Sequence, residues 1–259
     1  MKTDHPFFSI ITASLNCVDT IRDTIDSIAE QTFSQLEHLI IDGGSTDGTL
    51  AVIKDAARYH RISYLSERDD GIADALNKGI RMAKGQYMLV LQADDRLISR
   101  DVCEKVYPVA VGQTYDIVSY PVLKIGQNGK MTPFNPIKTP WWYHFKTTFP
   151  HSGAFVHKRV FERIGGFKKE ISIALDYDFF YRALDSASCS VLIQSMPAAV
   201  IGCNGVSSNS NYLRKRLREE HLIQKANEKR LMWKFMQLIF RQIYVPYKLT
   251  STRRKLPSR

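Results

Sequence analysis

Apolar positions along this chain alternate between two periods. Phe8-Ser-Ile-Ile-Thr-Ala is a strand-like run that ends near Ser14-Leu-Asn16. Ile21, Ile25 and Ile28 then recur on one helical face, behind Asp19 or Thr20 as the capping residue. Leu36–Ile41 reads as a second strand, broken by Asp42-Gly43-Gly44-Ser45, and a helix follows from Thr49 with Leu50, Ile53 and Ala57 inward. A short strand at Arg61–Leu65, a helix over Ile72–Met82 and a strand at Tyr87–Leu91 complete the series. Tyr87–Leu91 does not alternate, so it reads as a central strand covered on both faces. Parallel strands need crossover connections, so this rhythm predicts an α/β chain with a mostly parallel sheet and helices on both sides.

Past residue 110 the rhythm loosens. Asp116–Tyr120 and Pro121–Ile125 are expected strands, followed by a turn at Gly126-Gln-Asn-Gly129. Pro133 to Trp142 reads as an extended loop whose two tryptophans are either a wall on the acceptor side or a lid packed on the sheet. Helices are expected at Lys158–Ile164, stopping at Gly165-Gly166, and at Leu175–Leu184, with a strand at Ser190–Ile193. Asn211–Met236 reads as helical, with Leu213, Leu217, His221 and Leu222 on one side, and a second apolar stretch covers Leu231–Phe240.

Composition adds one large asymmetry. The 259 residues are 44% apolar and 24% charged, which suits a large globular domain with a small appendage. The four cysteines form no CxxC pair, which argues against structural zinc and a disulfide framework, and a reducing compartment is the expectation. No stretch has the length of a signal peptide or of the ~18–20 apolar residues that span a bilayer. Residues 211–259 hold 14 Lys/Arg against 3 Asp/Glu, which accounts for the whole basic excess of a chain with net charge +10. Trp, Phe and Tyr interleave with these cations, which fits an interfacial membrane element; helices packed on the body or pairing subunits are the alternative.

The chemistry sits at strand ends. Asp94-Asp95 follows the Tyr87–Leu91 strand, where open α/β sheets bind their ligands. Adjacent carboxylates repel unless a cation lies beside them, and Mg²⁺ or Mn²⁺ carrying a diphosphate suits such oxygen ligands. An acidic turn leading into the next helix is the plainer alternative. Asp42-Gly-Gly-Ser-Thr-Asp47 and Glu67-Arg-Asp-Asp-Gly71 end the neighbouring strands. Asp42 could accept from a base imide or amine, or cap its own turn. Neither GxGxxG nor GxxxxGK[ST] is present. Asp176 is an N-cap or, set opposite Asp94-Asp95, a base for an attacking hydroxyl.

Five elements in order resemble the family 2 glycosyltransferases: Phe8–Asn16, Ile40–Thr49, Ser66–Gly79, Gly85–Asp95, and His151-Ser-Gly-Ala-Phe-Val with Gly165-Gly-Phe167 and Asp176-Tyr-Asp-Phe-Phe-Tyr-Arg182. The resemblance covers roughly residues 7 to 205. It implies a GT-A, Rossmann-like three-layer α/β fold over residues 1–206, with a nucleotide-binding half to about 110, an acceptor-binding half over 111–206, and a basic amphipathic helical extension over 207–259. By match to the family motifs, Asp42 contacts the nucleotide base, while Asp69, Asp74 and Asn77 line the donor pocket. Asp94 and Asp95 form the metal motif, with Asp95 the direct ligand and Asp94 also on the donor. His151 lies on the acceptor and diphosphate side, and Asp176 is the catalytic base. Many relatives carry a second acid where this chain has Gly43, and the metal motif is Gln-Ala-Asp-Asp in place of a strict DxD.

The implied activity is inverting transfer of a sugar from a nucleoside-diphosphate donor, a UDP-sugar first, to a saccharide or lipid-linked saccharide in cell-surface polysaccharide synthesis, with Mg²⁺ or Mn²⁺. A cytoplasmic protein peripheral to the inner face of an anionic membrane is expected, with a homodimer open and no nucleic acid as partner. A nucleotidyltransferase on a related fold is the nearest enzyme alternative. A nucleic-acid-binding protein acting through the basic tail is the alternative outside enzymes; it leaves the acidic strand ends unexplained.

Overall fold

The computed structural model describes residues 5–112, 115–126, 129–185, 187, 189–202 and 210–253. Cys203 and the end of the basic tail lie outside the described residues. The first half follows the sequence pattern closely. Strand β1 (Phe8–Ser14) is buried along its whole length and leads through α1 (Ile21–Ala29) to β2 (Leu36–Asp42). Then come α2 (Thr49–Ala56), β3 (Ile62–Ser66), α3 (Ile72–Met82) and β4 (Tyr87–Val90). After a two-residue β5 (Arg96–Leu97) and α4 (Val102–Val111), the chain makes β6 (Ile117–Ser119), β7 (Val122–Ile125) and β8 (Met131–Phe134). Next are β9 (Ala154–His157), α5 (Lys158–Ile164), α6 (Leu175–Asp185), β10 (Val191–Ile193) and β11 (Ala199–Ile201).

Seven strands form the main sheet in the order β10-β6-β9-β4-β1-β2-β3. β1 pairs in parallel with both β2 and β4, and only β9 runs against its neighbours β4 and β6. The sheet is thus mostly parallel, as the strand–helix rhythm predicts. Apolar layers cover both faces: Ile11, Leu76, Val90, Val160 and Phe179 on one, and Phe8, Ile10, Leu89, Val106 and Phe155 on the other. A smaller sheet, β5-β11-β7-β8, adjoins the main one. Its edge strand β8 carries Pro133, which is tolerated there because an edge position does not need the missing N–H. The expected Pro-rich loop therefore begins as a strand and ends in a 3₁₀ turn at Trp142–His144.

The tail differs most from expectation. The helix expected over Asn211–Met236 is two helices, α7 (Leu213–Asn227) and α8 (Leu231–Arg253). The break falls at Glu228, whose buried carboxylate takes the Arg230 Nε and the Tyr181 hydroxyl, each at 2.8 Å, and faces the His144 Nδ1 at 2.8 Å. Glu228 caps α7, its N–H still on the Gln224 carbonyl, and the extended backbone after it brings the Arg230 N–H to its carboxylate at 2.9 Å. The inward face of α7 is Leu213, Leu217, Ile223 and Gln224, whereas His221 and Leu222 are exposed. α8 lies on the tryptophan-bearing segment: Trp233 stacks on His144 with 4.0 Å between centroids, and Phe240 packs against Trp142 and Phe145. Trp141 and Trp142 are thus a bed for α8. Among the described residues no helix is long and apolar enough to cross a membrane.

Candidate active site

The C-terminal ends of β1 and β4 open into a cleft of about 550 Å³. Its walls include Ser14, Asn16, Asp69, Asp94, Asp95, His151 and Asp176. This is the crevice where an open parallel sheet binds its ligand.

Asp95 is the most constrained of these side chains. It is 2% exposed, and one oxygen accepts the Gly202 N–H at 3.0 Å while the other accepts the Ser152 hydroxyl. Its own carbonyl accepts the Thr24 hydroxyl at 2.7 Å, which ties the turn to α1. Gly202 is needed at this point, because a Cβ there would lie 2.6 Å from an Asp94 carboxylate oxygen and closer still to the Asp94 carbonyl. Sequence reasoning missed Gly202 and Ser152: each is a small residue in a distant segment, with no periodic signal.

His151 opens a short 3₁₀ turn after Pro150, and its Nε2 is buried 3.6 Å from the Asp95 carboxylate without a hydrogen bond of its own. Burial lowers its pKa, but the carboxylates of Asp95, Asp176 and Asp94 outweigh that and hold the imidazole above its usual value. Asp176 is the second residue of α6, inside the helix and not its cap. One Asp176 oxygen accepts the Tyr177 N–H at 2.8 Å, and the other lies 3.5 Å from the Thr147 hydroxyl. The segment ahead of it is held from the tail: Glu219 of α7 accepts the backbone N–H groups of Ser172, Ile173 and Ala174. Asp178, two residues on, turns away from the cleft and is 1% exposed among Arg182 (2.8 Å), Lys168 (3.0 Å) and Asn227 (3.1 Å).

Three of the expected donor-pocket residues stand behind the wall. Asp42 is fully buried, accepting from the Ser45 N–H at 3.1 Å, the Ser45 hydroxyl at 2.5 Å and the Ser66 hydroxyl at 2.7 Å. It braces the turn, and its carboxylate is not among the groups that line the cleft. Asp74 pairs with Lys169 at 2.8 Å and Lys78 at 3.4 Å, and the Lys169 hydrogen bond with the Asp70 N–H holds its carboxyl down to about 2. Asn77 exchanges two hydrogen bonds with the Phe167 backbone, at 2.7 and 2.8 Å, and Phe167 lines the cleft. Asp74 and Asn77 therefore lock the wall, and Asp69 is the acid of this group that faces the cleft. Cys17 also lines it, with a thiol that burial pushes up to about 11. Cys17, Cys103 and Cys189 are free thiols.

A cation would find carboxylate oxygens at Asp94 and Asp95 and a buried imidazole nitrogen at His151, which are compatible ligands for Mg²⁺ or Mn²⁺. Among the described residues, no set of three or more His, Cys, Asp or Glu side chains is arranged to hold an ion unaided. The remaining ligands would have to come from substrate.

The chain resembles known proteins along most of its length. It is 29% identical over 209 residues to a PGL/p-HBAD biosynthesis glycosyltransferase of Mycobacterium tuberculosis, with 80% of each chain covered. In structure it is similar to a mannosyltransferase of Pyrobaculum calidifontis solved with GDP-Man and Mn²⁺, with TM-score 0.70, 20% identity, and 96% of this chain and 73% of that one covered. It is also similar to S. aureus TarS 1-349 in complex with UDP-GlcNAc, with TM-score 0.66, 18% identity, and 86% and 68% covered. Both structural likenesses bear on the fold, which is that of the GT-A glycosyltransferases. The glycosyl transferase family 2 model matches residues 9–171, a span that holds β1 to β9, the Asp94-Asp95 turn and His151. The chain therefore belongs to glycosyl transferase family 2 and is a glycosyltransferase.

Proposed function

We propose that the cleft binds a nucleoside-diphosphate sugar and transfers the sugar, with inversion, to a hydroxyl of a saccharide or lipid-linked saccharide in cell-surface polysaccharide synthesis. The observation that carries this reading is the meeting of Asp94, Asp95, His151 and Asp176 around one cleft at the ends of β1 and β4. The fold relatives solved with UDP-GlcNAc and with GDP-Man and Mn²⁺ support the donor class, with a UDP-sugar the first to test.

Asp176 takes the acceptor proton as the acceptor oxygen bonds to the anomeric carbon. The bond from that carbon to the diphosphate oxygen breaks, and the nucleoside diphosphate leaves with the electron pair. Asp95, with Asp94 and His151 beside it, would hold Mg²⁺ or Mn²⁺, which supplies positive charge against the diphosphate. The buried bonds from Ser152 and Gly202 fix Asp95 before substrate arrives, so orientation is prepaid. Asp69, on the cleft wall, would accept from the base, with Asp42 bracing the adjoining turn. A nucleotidyltransferase is set aside by the family, and the acidic cleft disfavours a polyanion. The basic tail would bring a cytoplasmic enzyme to an anionic membrane surface, where a lipid-linked acceptor resides.

Calorimetry with UDP and GDP, with and without Mn²⁺, tests the reading. Binding of at least one diphosphate, strengthened by Mn²⁺, is expected. Binding of neither removes the donor assignment.

A further inference from the structure

α8 has three distinct faces. At 100° per residue, Trp233, Gln237, Phe240 and Tyr244 share the face that packs on the body, where Gln237 donates to the His144 carbonyl at 2.8 Å. Lys234, Arg241 and Lys248 occupy the next arc. Over Leu231–Tyr247 the remaining arc is apolar apart from the exposed Gln242: Leu231, Phe235, Leu238, Ile239, Ile243 and Tyr247 recur at three- and four-residue spacing and are exposed, from 46% at Ile239 to 82% at Leu231. Monomeric proteins rarely leave such a contiguous stripe in water.

The basic arc opens on a second cleft. Between α7 and α8 lies a space of about 670 Å³, walled by His221, Lys225, Lys234 and Arg241 among others. The Arg241 Nη1 atom is buried there with no hydrogen-bond partner among the described residues. Glu220, the acid whose charge reaches Arg241, is engaged by Lys146 at 2.5 Å and faces Arg216 at 3.8 Å. A buried guanidinium atom without an acceptor is costly, and an anion entering the cleft would satisfy it.

We propose that α7 and α8 form a docking site for an anionic bilayer leaflet, in which the cationic cleft takes lipid headgroup phosphates while the apolar stripe of α8 enters the interface. Charge complementarity selects this occupant. A helix with an apolar arc bordered by cations, too polar to span, lies in the plane of a membrane surface. A second copy of the chain fits worse: α8 has no acidic residue, so a stripe-to-stripe seam would bring basic arcs together with nothing to pair them. The docking site rests on the reading above that the enzyme works at a membrane, and it identifies which surface does so.

The test is co-sedimentation of the full chain with phosphatidylcholine vesicles, either pure or mixed with phosphatidylglycerol. Strong binding to the anionic vesicles at low salt and weak binding to the neutral ones is expected. Lys225→Gln, Lys234→Gln and Arg241→Gln should each lower the partition about fivefold. Phe235→Ser with Ile239→Ser should weaken binding to anionic vesicles without changing the melting temperature. Equal binding to neutral vesicles, or cleft variants that bind like wild type, would overturn the headgroup site. Wild-type protein that ignores anionic vesicles overturns the whole proposal, whether it then binds only inorganic phosphate or forms a dimer that Phe235→Ser dissociates. Diphosphate binding in the same samples reads the donor site separately: docking can fail with UDP or GDP binding intact, and the donor reading can fail with docking intact.

Discussion

The carboxylate of Asp69 occupies the space that a side chain at position 43 would need. A Cβ on Gly43 would collide with the Asp69 Oδ2 and lie 3.1 Å from its Cγ. Asp69 is itself held by the Gly71 N–H at 2.9 Å, so moving aside would cost it that bond. By the family resemblance, many relatives carry an acid at the position of Gly43; here the β3–α3 loop brings a carboxylate to the same place from the other side.

Gly43→Asp should therefore weaken nucleoside-diphosphate binding by about tenfold, in line with the ~1–3 kcal/mol of overpacking. Adding Asp69→Ala should recover much of the loss, because one carboxylate then occupies the site again. Calorimetry with UDP or GDP reads both. Full affinity in the single variant would show that the contact is soft.

Asp95→Asn keeps the volume of a buried side chain and removes its charge. Diphosphate binding should fall steeply in Mn²⁺ and little in EDTA. Equal losses under both conditions would take the metal-holding role from Asp95 and leave it as the brace between Ser152 and Gly202.

Asp176 and Asp178 should separate cleanly. Asp176→Asn should lower kcat by ~10²–10⁴-fold with donor affinity near wild type. Asp178→Asn leaves Arg182 and Lys168 without their carboxylate, at a cost of about 3–5 kcal/mol, and should lower Tm by roughly 10 °C. If Asp176→Asn retained half of the wild-type turnover, the base assignment would be lost.

Glu228 makes the seat of the tail pH-dependent. Burial pushes its carboxyl up, but the bonds from Arg230 and Tyr181 outweigh this and bring it down to about 2. A depressed acid binds fewer protons in the folded than in the unfolded chain. Its stabilisation is thus present above the ordinary value of ~4.3 and is lost as pH falls through that value toward 2. Glu228→Gln should lower Tm near neutral pH by roughly 5–10 °C and flatten the acid limb of the Tm profile. Parallel acid limbs in the two proteins would refute this account. His144 does not cancel in the comparison: burial lowers its pKa and Glu228 opposes that, so Glu228→Gln lowers it further, and the acid limb is read below the range in which His144 titrates.

Periodicity alone determined much of this protein. The helix over Ile72–Met82 is where the apolar spacing puts it, and the unbroken apolar run of Tyr87–Leu91 is the central β4, with Asp94-Asp95 just beyond it. These features are legible because a repeat of two or 3.6 records which side of an element must leave water. The acid pair was legible for a related reason: the end of a buried parallel strand is a place that any chain of this type must leave open.

Tertiary structure decided which polar groups meet. Asp42 and Asp69 look alike as acids at strand ends, yet one is sealed under Ser45 and Ser66 and the other faces the cleft. Asp95 is oriented by an N–H that lies 107 residues away in the chain, and Asn77 clamps a backbone 90 residues away. In the tail, aromatic residues that look alike in sequence divide between two faces: Trp233 and Phe240 pack inward, Phe235 and Tyr247 outward. Hydrophobic pattern specifies a face, because burial is averaged along an element. A hydrogen bond needs two particular atoms within about 3 Å, and loops from distant segments set that distance with no repeat to announce it.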